Sequence, residues 1–335
     1  MDGETTRALR PVTSPLNIDA RTLLLFAAWA FFTVSGGFQW FGSSADNENY
    51  YFYYVNLNTS PDWGASRFEI GFQLWAWVAK FILRLGFEPF VMTLIGVSLG
   101  IKFYLFRRHT SIPIIAAIAY LLGFFFLHEY TQFRAAMGIS LSLLGLHKQL
   151  EGKALPALAW YFLGALFHYS VVLIPIIALL SRFVRRKDAL VLIAVASAAV
   201  AVLLPLIREQ LVDFLSVLNP LSSVYFYGAE GSANIFSLFN IAMGLASLYA
   251  VAIGYLARSA YHRTFLVLGI SSLAALLIMQ SQLILALRLK EMLSIAFIFA
   301  FTRSRPEMRD LPLLFLLLIA TGYAFWLGIG ELYLF

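Results

Sequence analysis

The sequence predicts an all-α fold, a polytopic bundle of membrane-spanning helices. Apolar residues make up 61% of the chain and charged residues only 13%, and the mean hydropathy is +0.80. Apolar runs of about twenty residues, the length that crosses the hydrocarbon core of a bilayer, follow one another along the sequence. These observations exclude an ordinary soluble domain.

Eleven apolar segments account for most of the chain. They lie at residues 20–41, 68–85, 90–106, 112–127, 130–147, 155–180, 189–207, 236–256, 264–279, 283–301 and 311–333. The connections between them are mostly short, so we expect one transmembrane domain over residues 1–335. We expect a cytoplasmic tail at 1–19 and larger periplasmic loops at 42–67 and 208–235.

The orientation of the middle third of the chain is harder to predict. With the N-terminus in the cytosol, the basic loops after 155–180, 236–256 and 283–301 face the cytosol, as the positive-inside rule requires, but two earlier basic loops face outward. One or two broken or re-entrant helices would remove this conflict, and the segment containing His168 and Pro175 is the candidate. We nevertheless expect that segment to be one unbroken helix.

Charge and residue types exclude several functions. The net charge of +6 is typical of cytosolic loops that face anionic lipid, so we expect no nucleic-acid partner. Because the chain has no cysteine, disulfides, thiolate nucleophiles and cysteine-ligated metals are excluded. The five histidines are scattered, so we expect neither a metal nor a cofactor.

The first candidate site residues lie between the first two apolar segments, in DNENYYFYYVNLNTSPDWGASRFEIGF. Asp46, Asn49 and Tyr50 could form a pocket for sugar hydroxyls or an ordinary solvated loop. Glu69 opens the second segment, where it could be a reactive acid or could simply complement the helix dipole. Gly71 follows, and its missing side chain would let a substrate or another helix approach.

Three further candidates are ionisable residues inside apolar segments, where a charge tends to be paired, water-facing or functional. Arg134 lies after Gln132 in QFRAAMGISLSLLGL, which is otherwise apolar for more than three turns. Arg288 lies in ALRLKEM, where an ion pair with Glu291 is the structural alternative. His168 lies in ALFHYSVV, where a packing histidine is the more common case and a base or phosphate partner the functional one.

Taken together, these residues resemble the EpsG family of exopolysaccharide proteins, which is related to the Wzy O-antigen polymerases. The resemblance runs from about residue 20 to 301 and rests on short motifs: Asp46 with Asn49 and Tyr50, Glu69 with Gly71 and Phe72, Arg134 after Gln132, His168 with Tyr169 and Ser170, and Arg288. In family members a glutamine often follows the mid-chain arginine, whereas Ala135 follows here.

The resemblance implies a metal-independent glycosyltransferase of the bacterial inner membrane. Such a polymerase joins undecaprenyl-diphosphate-linked oligosaccharide repeat units on the periplasmic side, making O-antigen or exopolysaccharide. Its implied partners are these lipid-linked oligosaccharides, membrane lipid, and a flippase and a chain-length regulator of the same pathway. A lipid-linked oligosaccharide transporter and a membrane O-acyltransferase using His168 as base are the alternatives.

Polymerisation needs a base for the acceptor hydroxyl and a fixed cation near the departing diphosphate. We expect Glu69 to be the base because its surroundings look apolar, and Asp46 to position the acceptor sugar. His168 is a third catalytic candidate. Arg134 and Arg288 would bind the diphosphate, since guanidinium is permanently charged and grips phosphate with two hydrogen bonds. The remaining substrate-binding candidates are Asn49, Tyr50 and Gln132.

Overall fold

In the computed structural model, residues 19–59, 68–184, 213, 234–279, 282–303 and 306–333 are described. Every regular element in these ranges is helical, which confirms the all-α prediction. The first half contains α1 (Ala20–Gly37), α2 (Ala45–Asn56), α3 (Ile70–Trp77), α4 (Phe87–His109), α5 (Pro113–Gly123), α6 (Phe133–Leu150), α7 (Ala154–Phe167) and α8 (Leu173–Leu180).

The second half continues with α9 (Leu238–Ala252), α10 (Tyr255–Arg258), α11 (Ala260–Ile278), α12 (Leu283–Ser294), α13 (Ala296–Thr302) and α14 (Leu311–Tyr333). Tighter or wider helical turns interrupt or join these helices. Two are π-helical, Val78–Ile82 and Phe126–Thr131, and three are 3₁₀-helical, Tyr169–Val172, Ser181–Phe183 and Met308–Asp310.

Four helical stretches in the described part of the chain are long and apolar enough to cross a membrane. They are Ala20–Gly37, Phe87–His109, Ala260–Ile278 and Met308–Gly328, and five shorter apolar helices accompany them. The chain is therefore a helical membrane protein. The count of about eleven spans stays a prediction, and the segment expected at 189–207 lies outside the described residues, as does most of the loop expected at 208–235.

The segment 155–180 is broken, so the prediction of one unbroken helix is wrong. α7 ends at Phe167, His168 is extended with φ −160° and ψ 108°, and a 3₁₀ turn leads into α8. Pro175 lies in the first turn of α8, where a missing backbone N–H costs little. The break turns His168 out of the helical path and lets its ring reach a neighbouring helix.

The region 42–67 is not simply a loop, because it contains α2. The Ser44 side chain accepts a hydrogen bond from the backbone N–H of Asn47 and so caps the first turn. Asp46 and Glu48 lie in that turn, where negative charge is favourable. The expectation that Asp46 lies in a loop is therefore wrong.

Small residues let α3 and α6 approach the broken segment closely. A Cβ atom on Gly71 would lie 2.7 Å from the carbonyl oxygen of Leu166 on α7. A Cβ atom on Gly138 of α6 would lie 2.8 Å from Cβ of His168. Helices in membranes commonly pack through such small residues. Of the two alternatives expected at Gly71, a substrate or another helix, the structure shows a helix, and both contacts hold the break at His168 against α3 and α6.

Candidate functional site

The Glu69 carboxylate is held between two basic side chains. Glu69 is the residue before α3, and its side chain does not cap that helix. Instead Oε2 forms an ion pair with Nη1 of Arg134, and Oε1 lies 3.1 Å from Nδ1 of His168. The side chains of Glu69, Arg134 and His168 are 8%, 13% and 10% exposed. The carboxylate is thus compensated in charge and mostly buried, with a small exposed fraction.

Aromatic rings surround the guanidinium of Arg134. Its Nε donates to the Tyr50 hydroxyl at 3.3 Å, and its central carbon lies 4.8 Å from the centre of the Phe68 ring. Tyr50 is buried and packs against Phe68 and Phe133, at centroid distances of 5.4 and 4.9 Å. Guanidinium binds favourably over ring faces, so this packing fixes the position of the charge.

Four chain segments contribute the side chains of this site. Tyr50 lies within α2, and the other three residues lie at a helix end or at a break. Glu69 precedes α3, Arg134 lies in the first turn of α6, and His168 lies between α7 and the following 3₁₀ turn. We refer to Glu69, Arg134, His168 and Tyr50 as the Glu69 site. The ion pair joins Arg134 and Glu69, which lie 65 positions apart in the sequence.

The other predicted residues lie around the Glu69 site. Asp46 is half-buried one turn before Tyr50 on α2, and its charge acts on the Tyr50 hydroxyl, whereas Asn49 is exposed. Gln132 precedes Arg134, and its Nε2 donates to Oε2 of Glu291 at 3.4 Å.

Arg288 is half-buried on α12, and its charge acts on the imidazole of His168. The structure therefore brings Arg134 and His168 into direct contact with Glu69. Within the ranges described, no cluster of three or more His, Asp or Glu side chains has the arrangement of a metal site.

Residues 22–331, nearly the whole chain, match the EpsG family. The chain belongs to the EpsG family. No curated protein and no solved structure matches it. Family membership and the apolar helices together identify a membrane protein associated with polysaccharide.

This EpsG-family protein contains a second polar cluster, which sequence reasoning missed. Nζ of Lys102 lies 2.5 Å from Oε1 of Glu129, and both side chains are 0% exposed. The Ser98 hydroxyl bonds both groups, at 2.8 Å from Nζ and 2.9 Å from Oε1. The Tyr120 hydroxyl donates to Oε2 of Glu129. With Ser140 and His128, which contact Ser98 and Tyr120, these residues form what we call the Glu129 network.

A signal for the Glu129 network was present in the sequence. Lys102 is the one charged residue within the apolar segment 90–106, and a lysine at membrane depth is expected to have a partner. The pair His128 and Glu129 lies in the π-helical turn Phe126–Thr131, which turns Glu129 toward α4. Such wide turns are frequent at functional sites.

Proposed function

We propose that this EpsG-family protein is a polysaccharide polymerase that joins undecaprenyl-diphosphate-linked oligosaccharides. The observation that carries the proposal is the Glu69 carboxylate held between the guanidinium of Arg134 and the imidazole of His168. A carboxylate paired with a histidine can handle a proton, and an arginine beside it can bind phosphate. We place the activity on the periplasmic side of the bacterial inner membrane, as the family resemblance implies.

In this reaction the acceptor hydroxyl oxygen forms a bond to the anomeric carbon of the donor sugar. The bond between that carbon and the diphosphate oxygen breaks, the diphosphate keeps the electron pair, and the acceptor proton passes to a base. Both carboxylate oxygens of Glu69 already have basic partners. We therefore assign the proton to the Glu69–His168 pair: Glu69 orients the ring through Nδ1, and Nε2 of His168 takes the proton.

Arg134 and Arg288 supply positive charge for the departing diphosphate. A guanidinium has five N–H donors in a rigid fork, so Arg134 can pair with Glu69 and a phosphate at the same time. Asp46, Asn49, Tyr50 and Gln132 border this centre and offer acceptors and donors to the hydroxyls of the acceptor sugar. The closeness of the Glu69–His168 pair favours chemistry over transport, because binding a diphosphate needs no paired base.

The experiment is to incubate the purified protein in vesicles with lipid-linked repeat units and to separate the products by glycan length. A polymerase makes a ladder of longer glycans. The proposal fails if the repeat units only cross the vesicle membrane unchanged, as for a transporter, or if product forms only when an acyl donor is consumed.

The Arg134→Gln variant provides the matched test of the site. We expect it to give no ladder, because the fixed charge for the diphosphate is lost while the side chain keeps much of its length. Arg107→Gln, at an exposed position near the end of α4, is the control and should give a normal ladder. A normal ladder from Arg134→Gln would contradict the assigned role.

A further inference from the structure

A cavity of about 530 Å³ lies between the C-terminal end of α5, the Phe126–Thr131 turn, α9, α12 and α14. Its wall combines leucine and phenylalanine side chains with hydroxyl, amide and charged groups. The volume is in the range of sites that bind small molecules. This mixed lining is suited to an amphiphile, with one part apolar and another rich in polar groups.

The cavity wall contains a lysine ammonium group, on Lys290. Lys290 lies on α12 and is half-buried, with Nζ 4.6 Å from the centre of the Phe239 ring, which also lines the cavity. Among the described residues, no carboxylate lies within 4 Å of this ammonium group. A lysine within apolar helices is costly unless something pairs with it, so an anionic ligand is the natural partner.

A second polar side chain in the wall, Asn240, has an oxygen without a hydrogen-bond partner among the described residues. Asn240 is 7% exposed and lines the cavity, and its Nδ2 donates to the Asn234 carbonyl at 3.0 Å. In the described part of the protein its Oδ1 is buried and accepts no hydrogen bond. Buried acceptors are rarely left unsatisfied. A ligand hydroxyl would satisfy this oxygen, and Glu291 in the same wall offers another acceptor.

We propose that this cavity binds the phosphate-bearing head of a polyprenyl-linked saccharide, with Lys290 on the phosphate and Asn240 on a hydroxyl. The proposal rests on the proposed function and adds a second substrate-binding site to it. A polymerase must hold two lipid-linked substrates at once, and the acceptor keeps its diphosphate while it reacts through a distant hydroxyl. Gln132 connects the two sites, because it bonds Glu291 in the cavity wall and lies two residues before Arg134.

The test uses a photoreactive undecaprenyl phosphate added to the full-length protein in nanodiscs of neutral lipid. After irradiation, the cross-linked peptides are identified by mass spectrometry. We expect labelling on α12 or α14 in the wild type, and a loss of at least about tenfold in Lys290→Gln, the scale of one lost charged contact. Labelling of peptides near Arg134 should persist and so report that the variant is folded. Lys290→Arg should keep the α12 labelling because it keeps the charge.

Lys153→Gln is the matched control, because Lys153 is an exposed lysine in the turn between α6 and α7. It should label like the wild type. Inorganic diphosphate should reduce the cavity labelling, and phosphatidylglycerol at an equal mole fraction should not. The proposal is overturned if Lys290→Gln labels α12 normally, or if phosphatidylglycerol competes as well as undecaprenyl phosphate does, since the cavity would then hold bulk lipid.

Failure of this inference is distinguishable from failure of the proposed function. Labelling reports binding alone, so the Glu69→Gln variant should label α12 as the wild type does, even when it makes no polymer. A protein that polymerises normally while Lys290→Gln labels normally would leave the function standing and remove the second site. A protein that is labelled in the cavity but never polymerises would leave the second site standing and remove the proposed function.

Discussion

Two clusters in this protein share four kinds of side chain, yet they differ in exposure. Each contains one glutamate, one basic residue, one histidine and one tyrosine: Glu69, Arg134, His168 and Tyr50 in one, Glu129, Lys102, His128 and Tyr120 in the other. In the Glu69 site the charged side chains are about a tenth exposed, whereas Lys102 and Glu129 are 0% exposed.

This difference in exposure indicates that the two clusters have different roles, one in catalysis and one in folding. The Glu69 site lies at helix ends and at a break, and its side chains keep a small exposed fraction, which a substrate would need in order to reach them. Lys102 and Glu129 instead tie the middle of α4 to the turn before α6, and Nζ of Lys102 also lies 3.3 Å from the Ala136 carbonyl. A buried ion pair adds little net stability over apolar residues of the same shape, but losing one partner is costly. The Glu129 network should therefore matter for folding, and the Glu69 site for turnover.

The largest expected effect is on stability. Lys102→Met leaves the Glu129 carboxylate buried without its cation, so we expect a loss of about 3–5 kcal/mol in the free energy of unfolding. Replacing both partners, as in Lys102→Met with Glu129→Leu, should recover much of that loss. Thermal unfolding of the purified protein in detergent is the measurement. An unchanged unfolding temperature in Lys102→Met would show that the pair is not structurally important.

The same substitution at His168 and at His128 should affect two different properties, turnover and stability. His168→Gln should lower turnover by about 100-fold or more with normal expression, because a proton acceptor is lost. His128→Gln should mainly lower the unfolding temperature, since His128 lies in the buried network. Both variants are compared by glycan formation per folded protein. Full activity in His168→Gln would return this histidine to a packing role.

Arg134→Lys should have a smaller effect than Arg134→Gln. The ammonium keeps the charge but cannot contact Glu69, Tyr50 and a phosphate in the fixed fork of a guanidinium. We expect a fall of about tenfold in turnover, measured with saturating lipid-linked substrate. Turnover equal to that of Arg134→Gln would mean that geometry, and not charge, sets the role of this residue.

The smallest expected effect concerns an exposed ion pair far from both clusters. Hydrogen bonds from Lys153 and Lys148 lower the pKa of Glu151 from its ordinary 4.5 to about 2. A lowered pKa in the folded state stabilises the protein above pH 4.5, and this contribution disappears as the pH falls toward 2. Glu151→Gln should therefore cost only a few tenths of a kcal/mol at pH 7. Unfolding temperatures of the two proteins should converge between pH 5 and 2.

The sequence identified the components of the Glu69 site but not their arrangement. Glu69, Arg134 and His168 stood out because ionisable residues are rare in apolar helices. Their contacts join positions 65 and 99 residues apart, which no local pattern predicts. The break at His168 packs against Gly138 of another helix. Hydropathy carries no information about such tertiary contacts, so it predicted one helix over residues 155–180.

Local propensity also misled the reading of α2. Asp, Asn and Tyr are weak helix formers, so the stretch around Asp46 looked like a loop. Ser44 followed by Asp46 and Glu48 is a helix-start signal, and it could have predicted the beginning of α2. The Glu129 network was missed for a different reason, because the pairing of Lys102 with Glu129 requires knowing how α4 packs against the Phe126–Thr131 turn.

The most direct test of this account compares Glu69→Gln with Glu129→Gln, the same substitution in the two clusters. For each purified variant, polymerisation is measured at saturating lipid-linked repeat unit and divided by the folded fraction. The account predicts that Glu69→Gln loses at least about 100-fold in turnover, with a smaller fall in unfolding temperature than Glu129→Gln. Glu129→Gln should unfold at a lower temperature and keep most of its turnover per folded molecule. Near wild-type turnover in Glu69→Gln would contradict the account.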